Sequence, residues 1–132
     1  LWVPAAIFEQ VIKSDQPEIQ REAIWAVCNL TSVEKNEYME HIFKQGIVDI
    51  ICGCLTNKDP KYLAVSLEAL GNLLSYGKKY ADLHGGENPV ATKIEELGML
   101  DVLENLQLNA VEIVYEKVVK LLETFFETEN AY

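Results

Sequence analysis

A chain of 132 residues is long enough for one domain, or for a contiguous piece of a larger one, and its 49% apolar and 24% charged residues read as soluble and folded. Eleven Lys and Arg against twenty-one Asp and Glu leave a net charge of −10. Phosphate backbones and anionic membranes are therefore repelled over most of the surface, while a basic ligand is favoured wherever that charge is concentrated. Neither nucleic acid nor a membrane is an expected partner, and no apolar run reaches the roughly 18 residues that span a bilayer.

Taken in chain order, the start LWVPAAIFEQ lacks an initiator Met and a basic leader flank, and reads as a cut. Asp15 or Gln16 before Pro17 predicts an N-cap with proline in the first turn, opening a helix to Ser32. The segment VEKNEYMEHIFKQG supplies a short helix with Tyr38, Ile42 and Phe43 on one side, and Gly46 closes it and opens a middle helix. Asp59-Pro60 repeats the cap and begins a second long helix. The stretch YGKKYADLHGGENP, with Gly77, Gly85, Gly86 and Pro89, reads as an inserted loop. Gly98 and GMLDVL then restart the pattern, which ends in a third long helix. Cys28, Cys52 and Cys54 are an odd number in apolar segments, so free buried thiols and a reducing, intracellular setting are expected.

The chain repeats itself. At an offset of 43 residues Pro17 meets Pro60, Ala26 meets Ala69, Asn29 meets Asn72, Leu30 meets Leu73 and Ser32 meets Ser75. GIVDII recurs as GMLDVL at an offset of 52, the extra nine residues falling between Tyr76 and Thr92. A period near 43 predicts an all-α, right-handed superhelical solenoid of the armadillo or HEAT kind, about three repeats long. The boundaries are a partial repeat over 1–32, a second repeat over 33–76, and a C-terminal repeat over 77–130 carrying the inserted loop.

On the first long helix, Ile19, Ala23, Ala26, Val27 and Leu30 form the expected core stripe, and Glu18, Glu22, Trp25 and Asn29 form a second stripe beside it. An indole and a carboxylate one turn apart can hold a lysine, stem against ring and ammonium toward Glu22, worth about 0.5–1 kcal/mol when exposed. The Asn29 amide can both donate to and accept from an extended peptide backbone. A purely structural reading also stands, with Trp25 capping a core edge, Asn29 bonding a neighbouring backbone and the two Glu solvated.

EAIWAVCNLTS at 22–32, HIFKQGIVDIICGCLTNKD, and IEELGMLDVLENLQLNAVEIVYEKVVKLLETFF together resemble, in order and over most of the chain, the C-terminal armadillo repeats of the importin-α family. The resemblance implies a nuclear import adaptor shuttling between cytoplasm and nucleus, with long helices lining a concave groove for lysine-rich localisation signals. It places the start of the chain inside the seventh repeat, and it makes residues 17–32 the end of the minor signal-binding site. There Trp25 stacks lysine stems, Asn29 clamps the peptide backbone and Glu22 neutralises an ammonium, with Glu18, Glu68 and Asn72 completing the implied peptide-binding set. The second repeat has Glu68 where Trp25 stood, Val65 for Glu22 and Lys61 for Glu18. The third has Lys117, Lys120 and Thr124 at the corresponding positions, so signal binding is expected to end before it.

For the last repeat the resemblance implies contacts with an export receptor and a nuclear-basket nucleoporin, assigned to Glu112, Tyr115, Glu116 and Lys117, with Glu123 alongside. Importin-β would be engaged through a segment that these residues do not include. The alternative is an armadillo scaffold for other protein partners without signal-peptide binding. Stripping upstream repeats would leave Trp2 and Ile7 uncovered, so self-association is expected there. An enzyme is not expected. His41 and His84 join no ligand spacing, Gly85-Gly86 lacks a following Lys-Ser/Thr, and no nucleophile sits with a base, so no metal and no cofactor are implied.

Overall fold

A computed structural model describes residues 10, 13–33, 35–108 and 111–126. Trp2 and Ile7, on which the expected self-association rests, lie outside the described residues. Within them the chain forms seven α-helices and no strand: α1 (Pro17–Thr31), α2 (Asn36–Lys44), α3 (Ile47–Gly53), α4 (Pro60–His84), α5 (Pro89–Glu96), α6 (Leu100–Leu106) and α7 (Glu112–Phe125), with a 3-10 turn over Cys54–Thr56 after α3.

The punctuation seen in the sequence governs these boundaries. Asp59 caps α4 by accepting from the Lys61 N–H at 3.0 Å, ahead of Pro60 at the first helical position. Gln16 occupies the N-cap of α1 without a side-chain bond. Gly46 (φ +88°) and Gly98 (φ +71°) form the left-handed elbows between α2 and α3 and between α5 and α6, a conformation that a Cβ disfavours.

Around α4 the layers assemble. It packs between α1 on one side and α7 on the other, and it also meets α2, α3 and α5. Its buried residues, including Leu63, Leu67, Leu70, Leu73 and Leu74, accordingly spread over about half of its circumference. An exposed or half-buried stripe remains on α4, composed of Lys61, Val65, Glu68, Asn72 and Ser75.

Two expectations are corrected. Residues 76–84 are the last turns of α4 rather than loop. The insertion is absorbed by the helix, and only residues 85–88 connect α4 to α5. The boundary drawn at 76 and 77 therefore falls inside α4. The core stripe of α1 is also rotated by about a quarter turn, since Ala23, Ile24, Val27, Cys28 and Thr31 are buried while Ile19 is 38% exposed and Ala26 and Leu30 are half-buried. Contact with α4 selects that arc, and apolar residues occur on both sides of it.

All three cysteines are free and buried. Burial, with the neighbouring Asp49 charge and Cys54 adding to it, pushes the Cys52 thiol from 9.0 to about 12. The Tyr62 hydroxyl donates to Cys54 Sγ at 3.1 Å, and burial raises both groups. Because the folded pKa lies above the unfolded one, stabilisation by the neutral thiol is whole below pH ~8.5 and lost as pH climbs toward 12. Alkaline titration followed by circular dichroism is expected to show stability falling from about pH 9 upward. Stability that stayed level across pH 9–12 would contradict the burial assignment.

Candidate functional site

Three long helices lie side by side, so the 43- and 52-residue offsets become neighbouring rows. On α1 the row Glu18, Glu22, Trp25 and Asn29 is exposed throughout, with Trp25 at 55%. This row lies across the helix from the core arc rather than beside it, because the true core is rotated away. Lys61, Val65, Glu68 and Asn72 form the α4 row, and Ile113, Lys117, Lys120 and Thr124 the α7 row.

Trp25, Glu68 and Lys117 share one hollow, about 370 Å³, walled by Ile24, Cys28, Tyr62 and Val65 and rimmed by Arg21, Lys61 and Ile113. Glu68 and Lys117 meet again in a second hollow, with Asn72, Ser75, Lys120 and Thr124. Glu18, Glu22 and Asn29 line neither of these two; they stand on the open α1 row.

Electrostatics divides the surface at Trp25. Lys117 Nζ lies 3.0 Å from Glu68 Oε1, so that carboxylate is met from within the chain. Arg21 Nε is 3.6 Å from Asp59 Oδ2. Lys61, by contrast, has no ion-pair partner among the described residues. Asn72 Nδ2 donates to Thr31 Oγ1 at 3.1 Å, committing part of its amide to the α1–α4 contact, and Thr31 Oγ1 in turn donates to the Cys28 carbonyl at 2.7 Å. At the floor of the hollow, burial chiefly raises the Cys28 thiol, Glu68 adds to the rise and Lys117 opposes it.

Among the assigned partner-contact residues, Glu112, Tyr115 and Glu116 are exposed on α7, Tyr115 at 46%. Lys117 turns away from them toward Glu68, a separation set by its place on the α4-facing row. Ile113 went unremarked in the sequence, although the 52-residue offset from Lys61 points to it. No group of three or more His, Cys, Asp or Glu side chains that could hold a metal occurs among the described residues, and no described helix is long and apolar enough to cross a membrane.

Stacked helix units with left-handed glycine elbows and a row of polar and aromatic residues on the long helices make this an armadillo-repeat protein. Residues 88–132 match the family model described as an atypical Arm repeat. Importin subunit alpha-4 of Arabidopsis thaliana is 37% identical over 97 residues, covering 72% of this chain and 18% of that protein. Importin subunit alpha of Saccharomyces cerevisiae is 31% identical over 99 residues, covering 74% and 18%. The chain belongs to the importin-α family, and it spans about a fifth of the length of these relatives. An engineered protein of known crystal structure superposes with a TM-score of 0.72 at 17% identity, covering 92% of this chain and 46% of that one, and shares the fold.

Proposed function

We propose that this chain is the C-terminal part of a noncatalytic nuclear import adaptor that moves between cytoplasm and nucleus and binds lysine-rich localisation signals on the exposed row of α1. The observation that carries this reading is Trp25. A side chain whose burial would be worth about 2–3 kcal/mol stands 55% exposed in the middle of a helix, with Glu22 one turn before it and Asn29 one turn after. A lysine stem laid on the indole, with its ammonium toward Glu22 and Glu18 and its peptide backbone on the Asn29 amide, uses all three side-chain types. Glu68 and Asn72 contribute less in this reading, since each already has a partner inside the chain.

One such cassette offers about 1 kcal/mol of cation–π attraction, about 1 net for each of two hydrogen bonds and under 1 for a screened ion pair. Together these approach the roughly 4 kcal/mol of a millimolar complex, so tight binding needs adjacent cassettes. The contact with importin-β falls to a segment outside these residues. The export receptor and the nuclear-basket nucleoporin are assigned to the exposed Glu112, Tyr115 and Glu116 of α7.

A titration tests the reading. In a Trp2→Phe background, a bipartite lysine-rich peptide taken to millimolar concentration is expected to shift Trp25 emission, and Glu22→Gln to weaken the apparent affinity about threefold to fivefold. Raising salt from about 0.05 to about 0.5 M should weaken binding further, because the Debye length shrinks severalfold. Emission that stays put, with no dependence on Glu22, favours the armadillo scaffold without signal binding.

A further inference from the structure

The hollow on the α4 side of Trp25 has the opposite chemistry from the α1 row. Its walls are apolar and two large side chains stand open over it, Trp25 at 55% and Ile113 at 48% exposed, contributed by the first and third long helices. The charged groups on its rim are three cations and one carboxylate, and that carboxylate is bonded to Lys117 while Arg21 faces Asp59. Lys61, exposed in the first turn of α4, is left to meet a ligand. A lysine entering here would meet the like charge of Lys61, and the one carboxylate on the rim, Glu68, is already engaged by Lys117.

We infer that this hollow takes an apolar, aromatic or branched side chain of an extended peptide whose neighbouring residue is Asp or Glu, the apolar group lying between Trp25 and Ile113 and the carboxylate reaching Lys61. At about 370 Å³ the cavity is at the small end of the range for ligand sites, roughly 300–1,000 Å³, and accommodates a phenyl or isobutyl group. Burial of the exposed indole and isoleucine supplies the attraction, and the lysine rim supplies the discrimination. The site stands independently of lysine docking, since it uses the other side of Trp25. Where both operate, the peptide reverses charge as it crosses the indole, basic toward Glu22 and acidic toward Lys61.

The test is a nuclear magnetic resonance titration of the 132-residue chain with N-acetyl-Phe-Asp-amide and, separately, N-acetyl-Phe-Lys-amide. The Asp probe is expected to shift the Trp25 indole N–H and the Ile113 methyls and to bind about threefold to fivefold more tightly than the Lys probe, the size of one screened ion pair. Lys61→Glu, which places an acid in a helical first turn and so preserves the fold, should reverse that preference, while Lys78→Glu, elsewhere on α4, should leave it unchanged. Equal or tighter binding of the Lys probe overturns the inference, as do shifts that miss Trp25 and Ile113. Concentration-dependent broadening of those signals without probe would show a second copy in the hollow and overturn it too. A chain that takes the Asp probe and ignores the lysine-rich peptide refutes the signal-binding proposal alone, and the converse result refutes this one alone.

Discussion

Leu70→Ala is expected to lower the unfolding free energy by about 2–5 kcal/mol. Leu70 is fully buried at the centre of α4, the helix against which both other long helices pack. Truncation removes the transfer free energy of the lost carbons and leaves a void that neighbouring helices can only partly close. A domain of this size holds about 5–15 kcal/mol in total, so the variant should sit near the edge of folding. Because α4 is shared, the loss should appear as one earlier urea transition with an unchanged slope rather than as selective melting of α7. A midpoint within experimental error of the parent would mean that α4 is not the common core.

Gly77→Ala is expected to destabilise by about 1–3 kcal/mol, against the sign that helix propensity gives, which favours Ala over Gly inside a helix by roughly 1 kcal/mol. A Cβ at Gly77 would collide with the Asn88 side chain. That side chain staples the end of the insertion. Its Oδ1 accepts from the N–H groups of Val90 at 3.0 Å and Ala91 at 3.2 Å, capping α5, and its Nδ2 donates to the Leu74 carbonyl at 3.0 Å. Displacing it gives up an N-cap, worth about 0.5–2 kcal/mol, and leaves polar groups short of partners. Gly53, where a Cβ would meet nothing within 4 Å, is the control, and Gly53→Ala should stabilise by about 0.5–1 kcal/mol. Thermal melts of the two variants should move in opposite directions. Stabilisation by both would show that Asn88 holds nothing.

The repeat, the caps and the glycine elbows were legible because each is written in a short stretch of chain. Asp59 before Pro60 specifies a cap whatever packs above it, and Gly46 and Gly98 stand where the backbone must turn left-handed. That Glu18, Glu22, Trp25 and Asn29 share one row follows from helical spacing alone, and the packing of α1 leaves all four exposed. The Asn88 staple was missed, since the same residues that read as loop, ADLHGGENP, also serve as the end of a long helix and the cap of the next.

What the amino acids settled unaided was which residues share a helix face, since the 3.6-residue turn is a local property of the backbone. Which faces meet was decided only by packing. Glu68 and Lys117 are 49 positions apart, and Asn72 and Thr31 are 41 apart, so their pairing depends on the spacing and tilt of separate helices, which no local pattern records. The burial of Ile24 and Cys28 in place of Ile19, and the position of Ile113 across from Trp25, have the same origin: an apolar side chain can be buried on any side, and the neighbouring helix chooses the side.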